Sequence, residues 1–231
     1  MQHFRWILPL FVLSLCFGAD PAPTGGPPPN RPVFQVEVPY PTKDKPQSKL
    51  WFDHGSWWAW LPTQEGSSVW KRTDKGWQRQ VALDKALADL PGQADVWADQ
   101  DAVRAVLAGN KRLAVVGLKW DRVTKEYAPA GAPVEFAMPE DPETKGVIET
   151  ATIARDGRSR WWIAYGWQKN MFVRVSRDSA GLQWSEAHAV NGSPAAKDDI
   201  CAIVALPGGV GLIWSDQSQD AVYFRRHADG A

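Results

Sequence analysis

The chain has 231 residues, 44% hydrophobic and 23% charged, and its 26 Lys and Arg are balanced by 26 Asp and Glu. A formal charge of zero leaves no basic field to attract nucleic acid or an anionic membrane surface. The length is sufficient for one large all-β domain.

The N-terminus places Arg5 before an apolar run from Trp6 to Phe17, followed by small residues. This pattern predicts a signal peptide over 1–19, cut near Gly18 to Asp20, and hence a secreted or periplasmic, extracytoplasmic protein. The run is short for a transmembrane helix, so no transmembrane anchor is expected. Cys16 stands near where a lipoprotein cysteine would sit, but Leu15 before it is larger than that signal usually accepts, so a lipid anchor is the less favoured reading. After cleavage only Cys201 would remain, in the apolar run DICAIV, as a small buried hydrophobe.

Residues 20–48 are Pro-rich at first and read as an extended linker. Alternation over 33–38 predicts a lone strand that could close the last sheet of the chain. From residue 49 onward, short runs rich in Val, Ile, Trp, Tyr and Phe are separated by turn signals, the pattern of antiparallel strands. The clearest set spans 149–190: ETATIARD, RWWIAYGW, NMFVRVSRD and GLQWSEAHAV, four strands with turns at Asp156-Gly157, at 168–170 and at 179–181. The same order occurs before it and after it. Aspartates that end the third strands, Asp74, Asp121, Asp178 and Asp229, are 47, 57 and 51 residues apart. A four-strand unit repeating at such a period is a propeller blade.

The expected fold is therefore an all-β propeller of four-stranded antiparallel blades, at about 49–83, 94–137, 148–191 and 198–231. Between the first two, LDKALADLPG predicts a short helix capped by Asp84, with Leu83, Leu87 and Leu90 on one face. The fourth blade is one strand short. Three complete blades and a partial one would leave an open edge, so the missing blades are expected from a longer chain of about six blades, unless 33–38 completes a small ring.

Two recurring residue sets should meet where first strands begin and second strands end. Asp95, Glu149 and Asp199 open first strands; Trp60, Trp167 with Gln168, and Trp214 with Asp216 close second strands. Carboxylates, amides and exposed indole faces suit a sugar, whose hydroxyls need hydrogen bonds and whose C–H faces stack on rings. The competing reading is that the acids hold turns and the tryptophans are core. The four histidines, at 3, 54, 188 and 227, show no metal-ligand spacing, and neither a metal nor a cofactor is expected.

The segment VSRDSAGLQWSE, with Ser176, Asp178, Gly181 and Trp184, resembles the Asp-box or neuraminidase (BNR) repeat of sialidase-like propellers, with one extra residue between the Asp and the Gly. Thr73, Asp74, Gly76 and Trp77 form a shorter relative. The resemblance implies a structural turn between third and fourth strands, on the face opposite a sialidase active site. It assigns no catalytic residue, because the first family arginine motif is absent and nothing marks Glu149 or Tyr165 for the family's roles. The expectation is an exported sialidase-like propeller that binds a glycan or another extracellular ligand. Its rivals are an exo-glycosidase, in the manner of an exo-α-sialidase, whose arginine cluster lies in missing blades, and a structural or protein-interaction propeller.

Overall fold

The protein is seen in a computed structural model that describes residues 36–38, 47–109, 111–139, 148, 150–168, 170–194 and 199–230. The expected signal peptide, Cys16, Glu149 and most of the expected linker lie outside the described residues. Among these residues sixteen strands and one helix follow in order. Sheet 1 contains β1 (Leu50–Asp53), β2 (Ser56–Thr63), β3 (Gly66–Thr73) and β4 (Gly76–Arg79). After helix α1 (Val81–Leu87), sheet 2 contains β5 (Gln93–Asp99), β6 (Ala102–Gly109), β7 (Arg112–Asp121) and β8 (Glu126–Pro129), with β9 (Val134–Phe136) pairing with β7. Sheet 3 contains β10 (Ala151–Arg155), β11 (Trp161–Trp167), β12 (Asn170–Val175) and β13 (His188–Pro194). Sheet 4 has three strands, β14 (Cys201–Leu206), β15 (Gly209–Asp216) and β16 (Ala221–Ala228).

Pairing is antiparallel throughout and, apart from β9 on β7, follows chain order, so each sheet is a meander, the form of a propeller blade. Among the described residues, sheets 1, 2 and 3 each contain a run of four strands in this order and sheet 4 contains three. Neighbouring sheets meet along their first strands. The Val96 N–H donates to the Ser48 carbonyl at 2.8 Å, and the Ile203 N–H donates to Thr152 Oγ1 at 3.0 Å.

Three apolar cores fill the gaps between the sheets, and the period of two along each strand explains them. On β6, Val103, Ala105 and Leu107 face the core shared with sheet 1, while Val106 and Ala108 face the core shared with sheet 3. On β11, Trp161, Ile163 and Tyr165 face sheet 2, while Trp162 and Ala164 face sheet 4. A sheet buried on both faces reads as an unbroken apolar run, as these two strands do. Sheet 1 supplies Trp51, Trp58 and Trp60 to the first core, under which Leu83 and Leu87 of α1 also pack.

Three expectations need correction. Helix α1 begins at Val81 with Gln80 before it and no side-chain cap; Asp84 sits in the first turn and accepts from Arg79 Nε at 3.1 Å instead. In the third blade, residues 181–186 hold only an isolated antiparallel bridge, Trp184 to Ser176, rather than a continuous strand, because the Asp178 carboxylate accepts the Leu182 and Gln183 N–H groups and coils the chain; the fourth strand starts at His188. Of the proposed closing strand, 36–38 is described and is not a strand. The Glu37 carbonyl instead accepts from Gln64 Nε2 at 3.0 Å, beside sheet 1.

Asp95 ties three segments together. Its carboxylate accepts the Ser48 N–H at 2.6 Å and the Ile153 N–H at 2.8 Å, joining the approach to sheet 1, the first strand of sheet 2 and the first strand of sheet 3. Burial pushes its carboxyl up to about 6, against the pull of those two N–H groups and of Lys49. The same burial draws the Lys49 ammonium down, opposed by the charge of Asp95. The folded protein thus holds the Asp95 proton more tightly than the unfolded chain does. Its contribution to stability is complete below about pH 4 and is lost as pH rises through about 6. At about 1.4 kcal/mol per unit, the loss reaches up to about 3 kcal/mol. Asp95→Asn should flatten this part of the stability–pH profile in urea unfolding. A wild-type profile no steeper than the variant's would mean that the carboxyl titrates normally.

Candidate functional site

Those residues expected to form a sugar site that are described serve the scaffold. Trp60, Trp167 and Trp214 are 0%, 3% and 3% exposed and fill inter-sheet cores, so none offers a stacking face. Asp199 is buried, and its Oδ1 accepts the Gln217 N–H at 2.8 Å. Asp216 is buried as well and holds its own turn, accepting from the Ser218 N–H at 3.1 Å and Gln219 Nε2 at 2.8 Å. Gln168 occupies a left-handed turn position, where its carbonyl accepts from Asn170 Nδ2. Glu149 falls outside the described residues. The reason is common to all of them: in a meander stacked on its neighbours, strand-end acids meet unpaired backbone N–H groups and alternate aromatics face the gaps.

The turns after the third strands are built by side chains. In the third blade, Ser176 Oγ accepts the Trp161 N–H at 2.8 Å and donates to the Asp178 carbonyl at 2.7 Å. Trp184 Nε1 donates to the Gly181 carbonyl at 3.0 Å. Gly181 has φ +66°, and a Cβ there would meet Trp161 Cδ1 at 2.9 Å, so only glycine fits. Burial would raise the Asp178 carboxyl, but the backbone N–H groups of Leu182, Gln183, Gly181 and Ala180 hold it below the usual carboxylate range. Asp121 does the same work in the second blade, accepting the Val123 N–H at 2.8 Å and the Thr124 N–H at 3.2 Å. In the first blade Thr73, not Asp74, makes the turn: its Oγ1 donates to the Gly76 carbonyl at 2.9 Å and accepts the Lys75 N–H at 3.2 Å. Trp77 continues the chain into β4.

A different constellation gathers where sheets 1 and 2 meet at their strand-one-to-two turns. His54 and Gly55, both at positive φ, form the tight turn between β1 and β2. The turn lays the His54 ring on Trp120 at the end of β7, with centroids 3.8 Å apart and planes 11° apart. His54 Nε2 lies 3.3 Å from Asp53 Oδ2 and 3.2 Å from Asp101 Oδ1, the latter in the β5–β6 turn. Arg122 Nη2 donates to Asp101 Oδ2 at 2.6 Å, and the Tyr127 hydroxyl donates to Asp53 Oδ2 at 2.5 Å. Lys71 Nζ stands 5.0 Å above the Trp58 ring and donates to the Lys125 carbonyl. Arg122, and secondarily His54, hold the Asp101 carboxyl below its ordinary value. Burial, and then the bond to Asp53, push the Tyr127 hydroxyl up, so it remains a donor.

The cluster combines an aromatic floor with a half-exposed rim of two carboxylates, a guanidinium and an ammonium. Asp53 and Asp101 both point at His54 Nε2, which occupies the space between them, so they are not placed as an acid and a nucleophile across a sugar ring. No three His, Cys, Asp or Glu side chains among the described residues gather as a metal site. A separate cavity of about 220 Å³ opens between sheets 3 and 4, lined by Trp162, Val173, Val190, Ile203 and Leu212, with Arg225 and His227 beside them. Its lining is apolar, unlike a saccharide site. Cys201 is buried, and burial pushes its thiol up to about 12.

No protein-family model matches the chain, and no curated protein does. Among solved structures it is similar to the alpha-L-arabinofuranosidase CtGH43 from Clostridium thermocellum ATCC 27405, at 10% identity and TM-score 0.44, over 77% of this chain and 66% of that one. It is similar to a Penicillium chrysogenum alpha-L-arabinanase complexed with arabinobiose, at 12% identity and TM-score 0.42, over 78% and 59%. It is also similar to a mutant of the alpha-L-arabinofuranosidase arb93a from Fusarium graminearum with an iminosugar inhibitor, at 10% and 0.42, over 79% and 62%. The chain thus spans between 59% and 66% of the length of these structures.

The two kinds of turn predict unequal mutational effects. Asp178→Ala should cost about 1–2 kcal/mol in urea unfolding, because it strips partners from several backbone donors. Asp74→Ala should cost less than about 0.5 kcal/mol, as an ordinary surface change does. Equal losses would mean that Asp74 carries its turn after all. In a second measurement, the Cys201 thiol should resist alkylation in the folded protein and react only in denaturant, read by mass mapping of the labelled peptide. Labelling of the native protein would contradict the burial.

Proposed function

We propose that this is an exported, sialidase-like propeller module that binds carbohydrate through the His54–Trp120 cluster and does not itself hydrolyse it. The observation that carries the reading is the convergence of hydrogen-bonding groups on an aromatic floor at one half-exposed place. The Asp101 carboxylate can accept sugar hydroxyls, Arg122 and Lys71 can donate to them, and the Trp120 and His54 rings offer apolar area. Binding rather than hydrolysis is favoured because His54 fills the space between the two carboxylates. The turn at 176–184, with its serine, aspartate, glycine and tryptophan linked as described, supports kinship with Asp-box blades. Export rests on the N-terminal sequence; among the described residues no helix is long and apolar enough to cross a membrane.

The test is a glycan array followed by calorimetry on the best ligand. Trp120→Ala and Arg122→Ala should each weaken binding by about tenfold or more, about 1.4 kcal/mol, while Asp74→Ala leaves it unchanged. Wild-type affinity in both site variants would remove the cluster as the site. Absence of any glycan binding by the wild-type protein would remove the function.

A further inference from the structure

Ten large apolar side chains are exposed among the described residues, and seven of them lie on only two surfaces. Leu50, Phe52 and Trp57 are on the face of sheet 1 that points away from sheet 2. Val204, Ile213, Val222 and Phe224 are on the face of sheet 4 that points away from sheet 3. Trp57 is 51% exposed, Phe52 60% and Phe224 62%. Their register makes them continuous patches. Phe52 pairs with Trp57 across β1 and β2, with ring centroids 5.4 Å apart. Ala202, Ile213 and Phe224 form one row across β14, β15 and β16, and Val204 and Gly211 start the next. Exposed apolar area concentrated in this way marks a contact surface.

The two faces are of opposite kinds, and that identifies the occupant. Every internal interface joins the forward face of one sheet to the rear face of the next. The forward face of sheet 4 and the rear face of sheet 1 are the two halves of one such contact. The interface between sheets 2 and 3 also seats arginines on indoles of the adjacent sheet: Arg104 of sheet 2 lies 5.1 Å from the Trp161 ring centroid in sheet 3, and Arg155 of sheet 3 lies 5.6 Å from that of Trp97 in sheet 2. On the open face of sheet 4, Arg226 stands beside the aliphatic rows, while the open face of sheet 1 is aromatic.

We propose that a second copy of this chain docks here head to tail, its sheet 1 covering sheet 4 of the first and the reverse contact closing the pair into a ring of eight sheets. Eight is within the range of closed propellers, and a heterologous contact whose rotation closes gives a finite ring. Sheet 4 against sheet 4 is disfavoured, because it would bring two Arg226 side chains together. The area suffices. With strands about 4.8 Å apart and about 3.3 Å per residue, a three-stranded face of this length covers roughly 350 Å². Two reciprocal contacts per copy approach the roughly 800 Å² per partner of a stable interface. The inference is independent of any ligand.

Sedimentation velocity on the full chain over a wide concentration range should give twice the chain mass. Trp57→Asp and Phe224→Asp each remove one half of the contact and should weaken association by about a hundredfold or more, with circular dichroism and thermal unfolding of the monomer unchanged. Mixing the two variants should restore a dimer, because the intact sheet 4 of one meets the intact sheet 1 of the other. A wild-type monomer at every concentration would overturn the proposal and leave the faces to sheets of a longer chain. A Trp57→Asp protein that still forms its own dimer would indicate a symmetric contact instead, and failure of the mixture to associate would refute head-to-tail docking.

Discussion

A β-sheet with apolar side chains on both faces is stable only between two neighbours, and most of this structure follows from that constraint. Sheets 2 and 3 have neighbours on each side and bury the runs AVRAVLAG and RWWIAYGW completely enough that their two faces feed separate cores. Among the described residues, sheets 1 and 4 have one neighbouring sheet each. Their inner faces carry Trp51, Trp58, Leu212 and Trp214, and their outer faces carry the exposed residues at 50, 52 and 57 and at 204, 213, 222 and 224. The same alternation that builds the cores therefore produces the open surfaces.

Stacking sheets by their faces leaves polar backbone groups at the first strands, where sheets approach edge to edge. A buried donor without a partner costs about as much as a lost hydrogen bond. Asp95 meets this need at the junction of three segments, and Thr152 meets it for Ile203. Burying a carboxylate is itself costly, and its raised pKa records that cost. The carboxylate satisfies two N–H groups from separate segments, Ser48 before sheet 1 and Ile153 in sheet 3, which no apolar residue could do.

The polar rim above the first core arises in a similar way. Tight turns at the far ends of sheets 1 and 2 bring Asp53, His54 and Asp101 together, and the rings of Trp51, Trp58, Trp120 and Tyr127, packed largely edge to face, give them a floor. His54 is held between two carboxylates and a ring, while Arg122 reaches out toward solvent. Such a cluster has the chemistry of a recognition surface. The apolar cavity between sheets 3 and 4 is instead a packing gap beside a sheet with three strands.

Strand runs, turn residues and the spacing of the third-strand aspartates were sufficient to read an all-β chain of repeated four-strand units, because period-two alternation and turn chemistry are local properties. The role of Asp178 as a turn-former was legible for the same reason. Local pattern could not tell which face of a strand is covered, so Trp60, Trp167 and Trp214 read equally well as a ligand platform and as core; stacking against a neighbouring sheet decided for core. Nor could it join residues from separate turns. His54 reads as a scattered histidine until packing sets it 3.2 Å from Asp101 and flat on Trp120. Short-range stereochemistry determined the elements, whereas the site also needs contacts such as His54 to Asp101 and Tyr127 to Asp53, 47 and 74 positions apart, which only the tertiary structure decided.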